Sequence, residues 1–242
     1  MTTLDLAARR AALGNSPLFQ VLQPPELDAV LAQAVVRRVA RTALILRRGD
    51  ISPGAMIIVS GRVRIASTSE DGREVTLGML GPGDVLGEMS LLDGEEVSAD
   101  ASALEECVLL MIERGRFLRL LRSDSDLCLR LMAVLCRRLR RSNAALEDMA
   151  LLDLPTRLGR LLLRLAHDYG SPVAGIPRHG GIGTATRIEV RLSQKDLSTI
   201  VGGSREKVNR QLRQWEQDGV LGKDAGRLTI LRPEALAAVI ES

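Results

Sequence analysis

The sequence predicts an α+β chain in two parts: an antiparallel β-roll that runs into one long helix, followed by a winged helix-turn-helix. Three observations carry this. Between Val35 and Ile112 short β-rich runs alternate with Gly and Asp-Gly turns. Between Cys128 and Met149 seam residues recur with alternating spacings of 4 and 3. Between Ser193 and Leu231 two short capped helices, joined by a glycine-containing turn, precede a hairpin.

The opening segment, to about Ala34, reads as helical. Leu27, Val30, Leu31 and Ala34 follow i, i+3, i+4, i+7 behind a Pro24-Pro25 entry that suits a first helical turn. The β-rich runs are Ala43–Leu46, Met56–Val59, Val63–Ala66, Val75–Leu80 and Val108–Ile112. Turn signals stand between them at Arg48-Gly49-Asp50, Ser60-Gly61, Asp71-Gly72 and Gly81-Pro82-Gly83-Asp84. Glu70-Asp71-Gly72-Arg73 predicts a hairpin.

Helix resumes near Arg114 and dominates from Ser123 to Asp153. Its seam is Cys128, Met132, Leu135, Leu139, Ser142, Leu146 and Met149, apolar except at Ser142. The flank is charged, with Arg137, Arg138, Arg140, Arg141, Glu147 and Asp148. Such a seam suits packing on its own domain or self-pairing with a second copy as a two-stranded coiled coil. Asp153-Leu154-Pro155 ends the helix, because proline resists helix interiors and restricts the residue before it. The boundaries follow: residues 1–122 for the roll and N-terminal helices, 123–153 for the long helix and a hinge, 154–242 for the winged helix.

A helix over about Thr156–Tyr169 leads into a Gly/Pro-rich stretch, Gly170 to Thr186, expected to be a flexible loop. Its Gly180-Gly181-Ile182-Gly183 run does not lie between a strand and a helix, so a connector is expected there rather than a phosphate cradle. Arg187–Leu192 alternates as a strand. Ser193 and Asp196 have capping-box spacing, and Leu197 and Ile200 supply an apolar face before the Val201-Gly202-Gly203 turn. Ser204 caps a second helix, Arg205 to about Gln217, with Val208, Leu212 and Trp215 facing inward at i, i+4, i+7. Gly219-Val220-Leu221, a turn at Lys223–Gly226 and a strand Arg227–Leu231 form the wing.

Composition narrows the function. The 242 residues carry 33 Lys+Arg and 30 Asp+Glu, a net charge of +3. From Leu154 onward there are 14 basic and 9 acidic residues, leaving 19 and 21 before it, so the basic excess lies wholly in the C-terminal part. That asymmetry suits binding a polyanion. Aromatic residues are only 2%, which argues against recognising single strands by base stacking. The three cysteines, Cys107, Cys128 and Cys136, are far apart, and neither His167 nor His179 adjoins a Cys or carboxylate cluster, so no metal site is expected. No apolar run reaches the ~20 residues of a membrane span. The start of the chain lacks the apolar core of a signal peptide, and a cytoplasmic protein is expected. No catalytic arrangement is visible, so an enzyme is not expected.

The second short helix presents Arg205, Glu206, Asn209, Arg210 and Arg213 on its outer faces. Arginine bonds bidentately to guanine, and a carboxylate accepts from the cytosine amino group. Ser193, Lys195, Ser204 and Lys207 are placed to hold phosphates. These features predict recognition of double-stranded DNA. A sensing module acting through a protein partner is the alternative from another class.

The sequence resembles the CRP/FNR family of bacterial transcription regulators, from about Leu18 to Leu231. Gly203-Ser204-Arg205-Glu206-Lys207-Val208-Asn209-Arg210 matches the family's recognition-helix signature, G/C-S-R-E-x-V-x-R. Gly49-Asp50, Ile58–Val63 and Gly81–Glu88 match its cyclic-nucleotide-binding, jelly-roll-like β-roll. The resemblance implies a homodimer joined through residues 123–153, with a hinge at Asp153 and a partner in RNA polymerase. It implies Arg205, Glu206 and Arg210 as readers of a palindromic site. It also implies an effector pocket built from Gly87, Glu88, Met89, Ser98 and Ala99, with Ser142 and Asn143 of the long helix placed for a purine.

One position departs from the pattern. Where cAMP-binding members carry an arginine that pairs with the cyclic phosphate, this chain has Val97, preceded by Glu95 and Glu96. Valine cannot neutralise a phosphate and adjacent acids repel one. Three effector readings therefore stay open: cAMP anchored by an arginine from elsewhere, a different ligand such as a cyclic dinucleotide with Arg140-Arg141 supplying charge, or no small ligand. An iron–sulfur sensor lacks its N-terminal cysteine cluster. A haem sensor lacks a recognisable ligand, with Cys107 the residual candidate.

Overall fold

The computed structural model describes residues 6–20, 22–178, 181–224 and 226–241. His179 and Gly180, and Ala225 in the wing turn, lie outside the described residues. The chain forms two compact units, Met1–Ser142 and Asn143–Ser242.

The first unit opens with α1 (Leu6–Gly14) and α2 (Pro24–Leu31). Pro24 and Pro25 occupy the first helical positions of α2, and Gln23 and Glu26 close a capping box. Eight strands follow, interrupted by one short helix: β1 (Val35–Val39), β2 (Leu44–Leu46), β3 (Gly54–Ser60), β4 (Val63–Thr68), β5 (Glu74–Leu80), β6 (Val85–Leu86), α3 (Glu88–Asp93), β7 (Asp100–Ala103) and β8 (Cys107–Glu113). They make two antiparallel four-stranded sheets, ordered β1-β8-β3-β6 and β2-β7-β4-β5. The expected hairpin at Glu70–Arg73 joins β4 to β5, with Thr68 opposite Glu74.

Strand β3 shows how the roll is held. Its run Gly54 to Ile58 is buried throughout, because successive side chains point to opposite faces and both faces are covered. Met56 and Ile58 enter the core between the sheets with Val39, Val63, Leu86, Val97 and Leu109. Ala55 and Ile57 enter a second core with Leu13, Phe19, Val30, Phe117, Leu127 and Leu131. That second core is roofed by α1, α2, α4 (Arg114–Ser123) and the start of α5 (Ser125–Leu151). An alternating strand would have announced a one-sided sheet; the continuous apolar run fits a strand covered on both sides.

The second unit holds the end of α5, then α6 (Leu154–Tyr169), β9 (Gly170–Arg178), β10 (Gly181–Ile188), α7 (Gln194–Val201), α8 (Arg205–Gln217), β11 (Leu221–Asp224), β12 (Arg227–Ile230) and α9 (Pro233–Glu241). Asp153 caps α6, its Oδ1 accepting from the Thr156 amide at 3.0 Å, with Pro155 just inside the start.

The expected loop over Gly170–Thr186 is instead a β-hairpin. β9 pairs antiparallel with β10, which pairs with β12, giving a sheet ordered β11-β12-β10-β9. Pro172 is tolerated there because β9 is the edge strand, one side of which needs no ladder partner. The expected strand Arg187–Leu192 stops at Ile188. Helix α9 gave no signal strong enough to predict.

Candidate nucleic-acid interface and effector pocket

Helices α7 and α8 are set by local rules. Ser193 and Asp196 complete a capping box at the start of α7. Gly202 ends α7 with a φ of +65°, a left-handed conformation that favours glycine. Ser204 Oγ accepts from the Lys207 amide at 3.3 Å and starts α8. Val208, Leu212 and Trp215 are buried, and α8 rests on them.

The remaining faces of α8 carry the polar side chains expected from the sequence. Arg205, Glu206, Lys207, Arg210 and Arg213 are exposed, while Asn209 is half-buried. Arg205, Asn209 and Arg213 follow one another at i, i+4, i+8 along a single ridge. Of the expected phosphate holders, Ser193 has its hydroxyl committed, donating to Asp196 Oδ2 at 2.7 Å.

Sequence reasoning passed over Gln194, which stands between two expected contact residues. Its Nε2 donates to Asn209 Oδ1 at 2.8 Å, tying the first turn of α7 to the outer face of α8. Both side chains line a cleft of about 210 Å³ with Arg213, Glu216, Lys223 and Arg227 at its polar rim. The wing is tied to its surroundings by charge. Lys223 pairs with Glu216 of α8 at 2.8 Å, and Arg187 reaches Asp224 at 2.7 Å and Glu189 at 2.8 Å. Glu189 also meets Arg227 and the Ser171 hydroxyl. The Ser171 bond first, and then Arg187, hold the Glu189 carboxyl below its ordinary range.

In the roll, Gly87 precedes α3 with a φ of +80°, and a Cβ there would lie 2.6 Å from Ser52 Oγ, so only glycine fits. Glu88, expected in the effector pocket, stands at the first position of α3. Its side chain is 3% exposed and already paired with Arg138 of α5. Arg138 also donates to the Val85 carbonyl. Leu131, Leu135 and Arg138 share the inward face of α5 at i, i+4, i+7, and that spacing was the available signal. Met89 is exposed, as is Ser98, whereas Ala99 is buried. Val97 is 8% exposed and belongs to the core between the sheets, with its backbone bonded to Gly49 and Asp50. Ser142 and Asn143 lie one turn beyond Arg138 and are exposed. Cys107 is buried between carbonyls of Arg62 and Glu105, and burial raises its pKa, which disfavours the thiolate that ligation requires.

The long-helix seam also needs a one-residue correction. Cys128 and Leu135 turn toward the roll's core. The outward apolar line is Leu129, Met132, Cys136, Leu139, Asn143, Leu146 and Ala150, still spaced 3-4-3-4. Along it Leu129, Met132, Leu139 and Leu146 are 60, 51, 62 and 66% exposed.

Residues 36–124 match the model of the cyclic nucleotide-binding domain, and residues 156–239 that of the Crp-like helix-turn-helix domain. The cyclic AMP receptor protein of Thermus thermophilus is 33% identical over 216 residues, 89% of this chain and 93% of that protein. The chain belongs to the CRP/FNR family of transcriptional regulators. This CRP/FNR regulator is also 29% identical to a CRP-like cAMP-activated global transcriptional regulator of Mycobacterium tuberculosis, over 93% of this chain and 96% of that one. Among solved structures it is similar to the c-di-GMP responsive regulator CLP of Xanthomonas campestris. The TM-score is 0.71 with 26% identity, covering 86% of this chain and 99% of that one. No helix among the described residues of the regulator is long and apolar enough to cross a membrane.

Proposed function

We propose that this CRP/FNR regulator is a cytoplasmic homodimer, without catalytic activity, that binds a palindromic duplex site and acts with RNA polymerase. The carrying observation is α8, whose exposed Arg205, Glu206, Arg210 and Arg213 stand on a buried base of Val208, Leu212 and Trp215. A helix so built enters the major groove, with Arg205 and Arg210 reading guanine and Glu206 reading cytosine. Lys195, Ser204 and Lys207 hold phosphates and fix register. The exposed apolar line on α5 supports pairing with a second copy, and Asn143 on that line would set register, as a polar seam residue does. In this reading residues 1–122 sense an effector, 123–153 join the copies and provide the hinge, and 154–242 bind DNA.

The effector is of the cyclic nucleotide or cyclic dinucleotide class. Two relatives are named for cAMP and a structural neighbour for c-di-GMP. In this chain Val97 fills the place of an anion anchor, so a phosphate entering the roll would draw on Arg138, now paired with Glu88, or on the exposed Arg140 and Arg141. A second reading, DNA binding with no nucleotide, is favoured by that same ion pair, which satisfies the buried carboxylate without a ligand.

Gel-shift titration of a palindrome and scrambled duplexes over a salt series tests the DNA reading. A steep fall of affinity with salt and a clear preference for one palindrome are expected. Equal affinity for every duplex overturns it. Thermal shift with cAMP, cGMP and c-di-GMP separates the effector readings. A binder at 100 times its dissociation constant adds about 2.7 kcal/mol. No shift across the panel leaves the nucleotide-free reading.

A further inference from the structure

We propose that Gln194 and Asn209 act together as a specificity element that reads an A·T base pair, with Gln194 positioning Asn209. This rests on the DNA-binding reading above.

Asn209 is on the same ridge of α8 as Arg205 and Arg213, one turn from each. Its neighbours on that ridge are exposed, whereas Asn209 is half-buried and accepts from Gln194. The bond between them, 2.8 Å from Gln194 Nε2 to Asn209 Oδ1, sets one amide against the other, so that one keeps a donor and the other an acceptor. A free asparagine can turn its amide over and present a donor or an acceptor at one place. In this arrangement the oxygen faces α7 and the NH₂ group remains as a donor. The oxygen keeps a second lone pair, and Gln194 Oε1 adds another acceptor beside it.

A donor next to an acceptor matches one base edge in the major groove. Adenine offers N7 as acceptor and the N6 amino group as donor, and asparagine or glutamine reads that pair bidentately. Guanine offers two acceptors, so an acceptor-bearing amide is half mismatched there. One helical turn advances about 6 Å over four residues. Base pairs repeat every ~3.4 Å. The adenine should therefore lie about two base pairs from the one read by Arg205.

The purely structural explanation is that the bond clasps α7 to α8 and does nothing else. The two accounts separate on specificity. Binding selection from a palindrome library randomised through both half-sites, with wild type and three variants, decides it. Wild type should prefer A·T at one position by about 5- to 150-fold. Asn209→Ala should flatten that position and leave those read by Arg205, Glu206 and Arg210 unchanged. Gln194→Ala should reduce the preference at the same position and at no other. Asn209→Asp keeps the acceptor that receives Gln194 Nε2 but replaces the donor, so its preference should move from adenine to cytosine. That exchange is something a clasp cannot produce, and it is readable even where the alanine variant folds poorly. Unchanged profiles in Asn209→Ala and Asn209→Asp overturn the proposal while the DNA-binding reading stands. A wild-type profile with no preferred sequence overturns both.

Discussion

The roll and the winged helix treat charge in opposite ways. In the roll, Glu88 is drawn almost wholly out of solvent and neutralised by Arg138, while Val97 occupies the apolar core where the family resemblance calls for a cation. On α8, Arg205, Glu206, Arg210 and Arg213 are left in solvent above a buried apolar base. A buried charge must be paired at once, because desolvation costs several kcal/mol per ion. An exposed one can wait for a partner. The first arrangement is complete in a single chain, and the second is built to be completed by DNA. The outward line on α5 is a third case, in which apolar surface rather than charge is left waiting.

The largest expected effect falls on that line. Leu139 is 62% exposed at the centre of the stripe. Burying a leucine contributes about 1.5–3 kcal/mol, and a symmetric pair feels it twice. Leu139→Glu should therefore raise the dimer dissociation constant by about 10²- to 10⁴-fold in sedimentation equilibrium. A dimer of undiminished strength would show that the stripe is covered in some other way.

Next comes the roll's internal pair. Arg138→Ala strands the buried carboxylate of Glu88, and losing one partner of a buried pair costs about 3–5 kcal/mol. Arg138 is 27% exposed, so the low end, about 3 kcal/mol, is expected in urea unfolding. Adding Glu88→Gln to Arg138→Ala should recover part of that loss, since no charge is then left buried. If Arg138→Ala unfolds like the wild type, the pair contributes nothing net and the contrast with α8 loses its energetic half.

How much of this was legible beforehand divides along the same line. α8 could be read residue by residue, because caps, apolar spacing and outward positions are all local to thirteen residues. The hairpin turn at Glu70–Arg73 was legible for the same reason. The pocket was not, because its cation comes from 50 residues further along the chain, on a helix whose rotation the sequence leaves open. A heptad pattern fixes period better than phase. The seam through Leu135 and Ser142 and the stripe through Cys136 and Asn143 share Met132, Leu139 and Leu146 and differ by about 50° of rotation, and only packing against the roll's core decides between them. The β9–β10 hairpin was hidden by its composition: glycine and proline signal loops, but an edge strand tolerates both.

The surface of α8 carries the third prediction. Arg205→Ala should weaken binding to the preferred duplex by about 1–3 kcal/mol and relax preference at one base pair. Lys207→Ala, at a position proposed to hold a phosphate, should weaken all duplexes alike and lower the salt slope by about one. Gel shifts with single-position variants of the site separate the two. Uniform weakening by Arg205→Ala would move that residue from reading to positioning.

The smallest effect tests whether a partly solvated charge can be structural in the second unit too. Asp153 accepts from the Thr156 amide, and hydrogen bonding by the Thr156 side chain first, and then by that amide, lowers the carboxyl pKa below its ordinary value. A carboxylate depressed in the folded state contributes stability above its unfolded pKa and loses it as pH falls through the folded value. Asp153→Ala should cost about 1 kcal/mol at neutral pH, the usual worth of an N-cap. The gap from wild type should then close as the pH drops below about 4, where the unfolded carboxyl begins to hold its proton. Asp153→Asn also caps but does not titrate, so it should stay near wild type at pH 7 and show no such closing gap against Asp153→Ala in acid. Thermal unfolding of the three proteins from pH 7 to 3 measures this. A constant gap between wild type and Asp153→Ala across that range would mean that the cap acts by shape alone, leaving α8 as the place where the second unit's charge does its work.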